Sequence, residues 1–157
     1  MNEILWKDVP ASIRTMYSYN KQKDIPKEVD KTWKQFDAES KEKKIILYGA
    51  GKGCGDFSDR YHMDYEIDCV IDNDVNKQGG YIEGYIIKSE RYLDTLDKDS
   101  FCIIITTGLY LNEITKHLIE KGIDNIYSYA VMESKRLRYW GFRNLIKDYT
   151  VLDLENK

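Results

Sequence analysis

The sequence is poor in the features that staple, bend or anchor a chain. It has two prolines, Pro10 and Pro26, and an odd number of cysteines, three. Cys69 and Cys102 lie in strongly apolar runs, where a small buried thiol is the ordinary role, so no disulfide framework is expected and the protein reads as reduced and cytoplasmic. No window approaches the ~20 consecutive apolar residues that span a bilayer. Met1 to Lys7 also lacks a basic stretch followed by an apolar one, so neither a membrane span nor a secretory leader is expected. A charge excess is missing too: 24 basic against 27 acidic residues give −3, too little field to draw in nucleic acid. Histidine is scarce, and neither His62 nor His117 has a motif-level partner, so no metal site is expected and any catalytic residue stays unknown.

What is present suits one domain of 157 residues, long enough to bury a single core. Residues 1–43 read as an N-terminal helical arm, with one helical pattern after Pro10 (Ile13, Met16, Tyr17) and another after Pro26 (Val29, Trp33, Phe36), each proline suiting a first helical turn. Ile45-Ile46-Leu47-Tyr48 then forms a continuous apolar run, expected for a strand buried on both faces. Further strands are expected at Tyr65–Asp72, Tyr85–Ile87, Phe101–Thr106 and Asn125–Tyr129. Helices are expected at Asp56–His62, from near Ser89, and at Leu109–Lys121, stopping at Gly122. Alternating strands and helices over 44–129 predict a Rossmann-like α/β domain with a mostly parallel sheet and helices on both faces. Residues 130–157 form a C-terminal arm: Tyr139, Phe142, Ile146 and Tyr149 recur at helical spacing beside Lys135, Arg136, Arg138, Arg143 and Lys147. That amphipathic pattern serves packing or dimerisation more often than a membrane surface. The aromatics of the two arms, Trp6, Trp33, Trp140 and Phe142, suggest a homodimer interface.

The chemistry centres on Gly49-Ala50-Gly51-Lys52-Gly53, placed where a buried strand ends and a helix must begin. Gly49 permits the tight turn, and Gly51 lets backbone N–H groups approach a pyrophosphate at the positive end of the helix. Asp72 ends the second strand some twenty residues on, where a carboxylate accepts from ribose hydroxyls and repels a 2′-phosphate. The third glycine of the fingerprint falls at Cys54, small enough to pack helix on strand; a thiolate stabilised by the helix is the sharper reading. An S-adenosylmethionine site would carry an acid just before the first glycine, where this chain has Leu47-Tyr48. A calcium loop is suggested by Asp72, Asp74, Asn76 and Glu83, but Lys77 stands where the loop needs glycine and a strand precedes it in place of a helix. Tyr17 and Lys21 repeat the Tyr-x-x-x-Lys of short-chain dehydrogenases but precede the glycine turn where that pair should follow it. Thr106, Thr107 and Tyr110 are further candidates, because ligands of open α/β sheets lie beyond the carboxyl ends of strands.

Tyr48 to Gly53, Ile71-Asp72-Asn73-Asp74 with Lys77-Gln78-Gly79 and Gly84, and Ile103 to Thr107 with Tyr110, Glu113, Ile114, Leu118 and Gly122, resemble a family of Rossmann-like domains. These domains accompany sugar-modifying enzymes of bacterial surface-polysaccharide clusters and are similar to the C-terminal part of sugar C-methyltransferases. The resemblance covers about residues 44–129. It implies a nucleotide or nucleotide-sugar ligand, NAD being the other cofactor in view, with phosphates at Gly49 and Gly51 and a ribose or base near Asp72 and Asn73. It also implies an accessory role beside a glycan-biosynthesis enzyme, since in that family catalysis belongs to another domain. A small NAD(P)-dependent oxidoreductase or epimerase-like enzyme is the alternative.

Overall fold

A computed structural model describes residues 2–5, 25–140 and 149–152, with side chains over 25–136. Six strands form one sheet. β2 (Lys44–Tyr48) pairs in parallel with β3 (Ile67–Ile71) on one side and β6 (Phe101–Ile105) on the other. β5 (Tyr85–Lys88) extends the sheet beyond β3, and β7 (Ile126–Ser128) extends it beyond β6, both parallel. A two-residue edge strand, β4 (Tyr81–Ile82), returns antiparallel on β5. The order β4-β5-β3-β2-β6-β7 places the reversal of winding between β2 and β6. This is the α/β, mostly parallel architecture that the alternating pattern predicts.

Residue alternation along the buried strands sends two apolar sets to opposite faces. Ile46, Tyr48, Cys69, Ile71, Ile103 and Ile105 form one core with Val29, Leu93, Leu111 and Leu118. These come from a 3-10 turn (Lys27–Val29), α3 (Arg91–Asp94) and α4 (Leu111–Glu120). Ile45, Leu47, Val70, Cys102 and Ile104 form the other, against α1 (Trp33–Glu39), α2 (Lys52–Tyr61) and α5 (Tyr129–Trp140). α1 opens with a reciprocal cap, in which the Gln35 amide donates to Thr32 Oγ1 and the Thr32 amide to Gln35 Oε1.

On the second face Trp33 stacks with Tyr65 at 5.8 Å and meets Phe36, Tyr61 and Tyr129. Trp33 was expected on an exposed interface; instead it is half-buried, packed among the aromatic rings of α1, α2, α5 and the residue Tyr65 before β3. Beneath it Glu133, fully buried, accepts from Trp33 Nε1 (2.9 Å), Arg136 (3.0 Å), Arg60 (3.2 Å) and the Tyr61 hydroxyl. Val29, Trp33 and Phe36 of the N-terminal arm and Ala130, Val131 and Met132 of the C-terminal one are therefore parts of the core. Trp6, Trp140 and Phe142 lie outside the residues whose side chains are described, as does the Tyr17–Lys21 pair.

Three expected elements differ. α2 begins at Lys52, four residues before the expected Asp56, and so includes Gly53 and Gly55 despite their poor helix propensity. Between β3 and β5 the loop expected there also carries an unexpected edge strand, β4, joined to β5 through Glu83 (φ 52°) and Gly84 (φ 84°), which both take the left-handed conformation of a two-residue type I′ connection. The helical spacing read through Tyr149 ends earlier: β8 (Tyr149–Leu152) is extended and pairs in parallel with β1 (Asn2–Leu5), consistent with the β-branched Thr150-Val151.

Candidate functional site

The carboxyl ends of β2, β3 and β6 bring together the residues singled out in sequence. Gly49 sits at φ +120°, donates its amide to the Ile71 carbonyl (2.8 Å), and leaves no room for a side chain: a Cβ there would stand 2.9 Å from Thr106 Oγ1. Gly51 is the N-cap of α2, with extended backbone and no side-chain cap. A Cβ added at Gly51 would meet nothing within 4 Å. The space before the first turn of α2 is thus open, and Lys52, the first helical residue, is exposed beside it. Gly53 is different: a Cβ there would fall 2.0 Å from the Thr106 carbonyl oxygen, so its bare α-carbon lets α2 lie against the end of β6. Cys54, expected to pack helix on strand, does so one residue on: it is fully buried in the core of the second face, its thiol pushed up to about 12 by burial and by the charge of Glu83. The thiolate reading of Cys54 does not survive that environment.

Asp72 lies directly beneath the turn. Its Oδ2 accepts from the Ala50 amide (2.8 Å) and its Oδ1 from the Asp74 amide (2.8 Å). Two of about four lone-pair sites are therefore used by backbone, and the rest stay available to hydroxyls. The loop after β3, with no helix to hold it, is held by side chains: Gln78 Nε2 donates to the Asp72 carbonyl (2.9 Å), and Lys77 reaches back to the Ala50 carbonyl (3.1 Å). This brings an ammonium group to the glycine turn. Asp74 spends a carboxylate oxygen on the Asn76 amide (3.0 Å), so the loop that resembles a calcium site uses its oxygens to fold itself. Among the described residues no group of three or more His, Cys, Asp or Glu is placed to hold a metal ion.

Across the switch in strand order, Thr106 is 5% exposed and donates its hydroxyl to the Gly49 carbonyl (2.9 Å). Its side chain supports the turn from below. Thr107 is half-buried beside it, whereas Leu109 and Tyr110 stand exposed on the rim, with Tyr110 as the N-cap of α4.

Asn73 leads to residues that the sequence did not single out. Its Nδ2 donates to the Tyr48 hydroxyl (3.0 Å), which donates to Glu90 Oε1 (2.6 Å). Glu90 Oε2 takes His117 Nε2 (2.6 Å) and Lys121 (3.3 Å), and Lys121 also pairs with Asp94 (3.0 Å). Burial pushes the Glu90 carboxyl up, but hydrogen bonds from Tyr48 and His117 and the Lys121 charge outweigh it and leave it below the ordinary range. The Tyr48 phenol is raised, first by burial and then by its bond to Glu90. The partner that His117 lacked in sequence is thus a glutamate 27 residues away.

Among the described residues no helix is long and apolar enough to cross a membrane. No curated protein matches this sequence. Among solved structures, the crystal structure of UDP-D-quinovosamine 4-dehydrogenase from Vibrio fischeri is similar at a TM-score of 0.45 and 18% identity, over 55% of this chain and 77% of that one. Residues 41–127, more than half of the sequence, match the family model described as C2185-like, N-terminal, and the chain belongs to that family.

Proposed function

We propose that the protein binds a nucleotide or nucleotide-sugar at the carboxyl edge of its sheet, as an accessory component of bacterial surface-glycan assembly. One observation carries the binding reading: the turn at Gly51 opens the uncapped first turn of α2 to solvent at the strand-order switch, with the Lys77 ammonium held 3.1 Å from the adjoining Ala50 carbonyl. Amides at a helix N-terminus carry partial positive charge, and a lysine beside them suits a diphosphate. Asp72 then lies where a ribose hydroxyl can use its remaining lone pairs. The glycan context rests on the sequence resemblance, carried by the glycine turn and the Asp72–Lys77 string.

Thermal unfolding with UDP, CDP, NAD and S-adenosylmethionine tests the reading. Ligand at about 100 times its dissociation constant adds roughly 2.7 kcal/mol of stability, a clear rise in Tm for at least one nucleotide. Gly51→Val should unfold at the parent temperature, since its side chain meets open space, and should lose the ligand-induced rise because that space is where the phosphates go. No shift with any nucleotide, or an equal shift in the variant, overturns the assignment.

A further inference from the structure

A cavity of about 510 Å³ opens beside Asp72, between the loop after β3 and the start of α3. Its size is within the range that holds a small molecule, but its lining is not the usual one, since such pockets are mostly apolar and aromatic. Val75 is the one apolar residue among the described residues that line it, and no aromatic ring does. Asn73 and Gln78 spend their amide N–H groups on Tyr48 and on the Asp72 carbonyl, which leaves their side-chain carbonyl oxygens to accept. The Arg91 guanidinium has no partner among the described residues, while Glu90 and Lys121 are already matched to each other. A flat nucleobase would find no aromatic ring and little apolar wall to stack on here. A ring bearing vicinal hydroxyls would find both donors and acceptors, and a planar guanidinium fork suits two neighbouring oxygens.

We propose that this cavity seats a sugar ring of the bound nucleotide through its vicinal hydroxyls, with Arg91 and Asn73 as the contacting side chains. The inference rests on the nucleotide reading of the glycine turn, because Asp72 and Asn73 join the two. The ring is either the ribose or a pyranose beyond the diphosphate, and the same residues would recognise each.

Calorimetry on the full chain separates the cases, using whichever of UDP, CDP and ADP binds, its 2′-deoxy analogue and its glucose conjugate. A pyranose in the cavity makes the glucose conjugate at least tenfold tighter than the plain diphosphate, and Arg91→Ala erases that advantage. A ribose there makes the 2′-deoxy analogue at least tenfold weaker, and Arg91→Ala weakens the plain diphosphate to match it. Arg91 is exposed and unpartnered among the described residues, so its variant should fold, and Asn73→Ala provides a second reading. If both variants bind all three probes as the parent does while Gly51→Val binds none, the nucleotide site stands and the sugar seat is wrong. If the parent binds no nucleotide at all, both fall together.

Discussion

The two faces of the sheet each set a carboxylate among a phenol and cationic side chains, and the two arrangements differ in what surrounds them. Glu133, on the second face, is fully buried and receives Trp33, Tyr61, Arg60 and Arg136, drawn from α1, α2 and α5 itself. Glu90, on the first face, has a side chain 15% exposed, receives Tyr48, His117 and Lys121, and borders a cavity. Arginine does not release its proton in proteins and presents several fixed donors, so the Glu133 cluster behaves as a lock joining three helices. Histidine and lysine are titratable or mobile, and the Glu90 cluster lies one hydrogen bond from the loop that carries Asp72 and Lys77. Similar chemistry thus serves assembly where it is sealed and stands beside the candidate site where it is open.

The largest way to break that contrast is to remove each carboxylate in turn. Glu133→Ala should cost about 3 kcal/mol in urea unfolding, since it leaves the Tyr61 hydroxyl, the Trp33 indole N–H and Arg136 without their acceptor; the partial exposure of Arg136 and the Asp56 partner that Arg60 keeps hold the figure at the low end for a broken buried pair. Glu90→Ala should cost about 1 kcal/mol, because its partners can turn to water. Equal losses would show that the Glu90 cluster is as much a structural lock as the other.

A smaller loss separates the two glycines that flank the turn. Gly53→Ala should lower stability by about 1–3 kcal/mol, because its Cβ would stand 2.0 Å from the Thr106 carbonyl and α2 must move off the sheet. Gly51→Ala should leave unfolding unchanged, the measurement being the same denaturant titration.

Acid sharpens the comparison further. The Glu90 carboxyl is held below its ordinary value of 4.5 when folded, so the stability it contributes is present above that pH and is lost as pH falls through the lower folded value. Glu90→Gln should therefore flatten the stability profile below about pH 4.5, and a profile identical to the parent's would remove Glu90 from that account. At the alkaline end both faces should agree. Tyr48 and Tyr61 are raised by burial and by their carboxylate partners, whereas unfolded phenols ionise near 10. Stability present below pH 10 is lost as pH rises, and phenolate absorbance from these two should appear only on unfolding.

The smallest effect concerns the thiols. Cys54, Cys69 and Cys102 are buried on both faces and pushed up to about 12, 12 and 11. A disulfide reagent at neutral pH should find none of the three reactive until the protein unfolds.

Much of the architecture was legible because it is written in short-range pattern. Ile45–Tyr48 and Phe101–Ile105 read as buried strands from their apolar runs alone, and the glycine turn stood out because a strand and a helix flank it. The start of α2 was not legible, since Gly53 and Gly55 weaken an isolated helix and only the contact with Thr106 shows what Gly53 gains. Trp33 was misplaced for a related reason: an aromatic at helical spacing declares an apolar face without saying what covers it. Lys77 stood out as part of the resemblance and as the residue that spoils a calcium loop, but not as a group at the glycine turn, because nothing local shows that its side chain turns back to Ala50.

By itself the sequence determined the alternation of strands and helices, the turn at Gly49 to Gly51, and the acid at Asp72 that closes the second strand. These depend on periodicity and backbone sterics within a few residues, which any folded context must respect. Only the tertiary structure decided that β2 lies between β3 and β6, that His117 meets Glu90, that Asp72 holds the Ala50 amide, and that Trp33 faces inward. Those pairings join residues 22 to 100 positions apart. They are selected by which faces bury together and which polar groups must then be satisfied, and no local propensity encodes that choice.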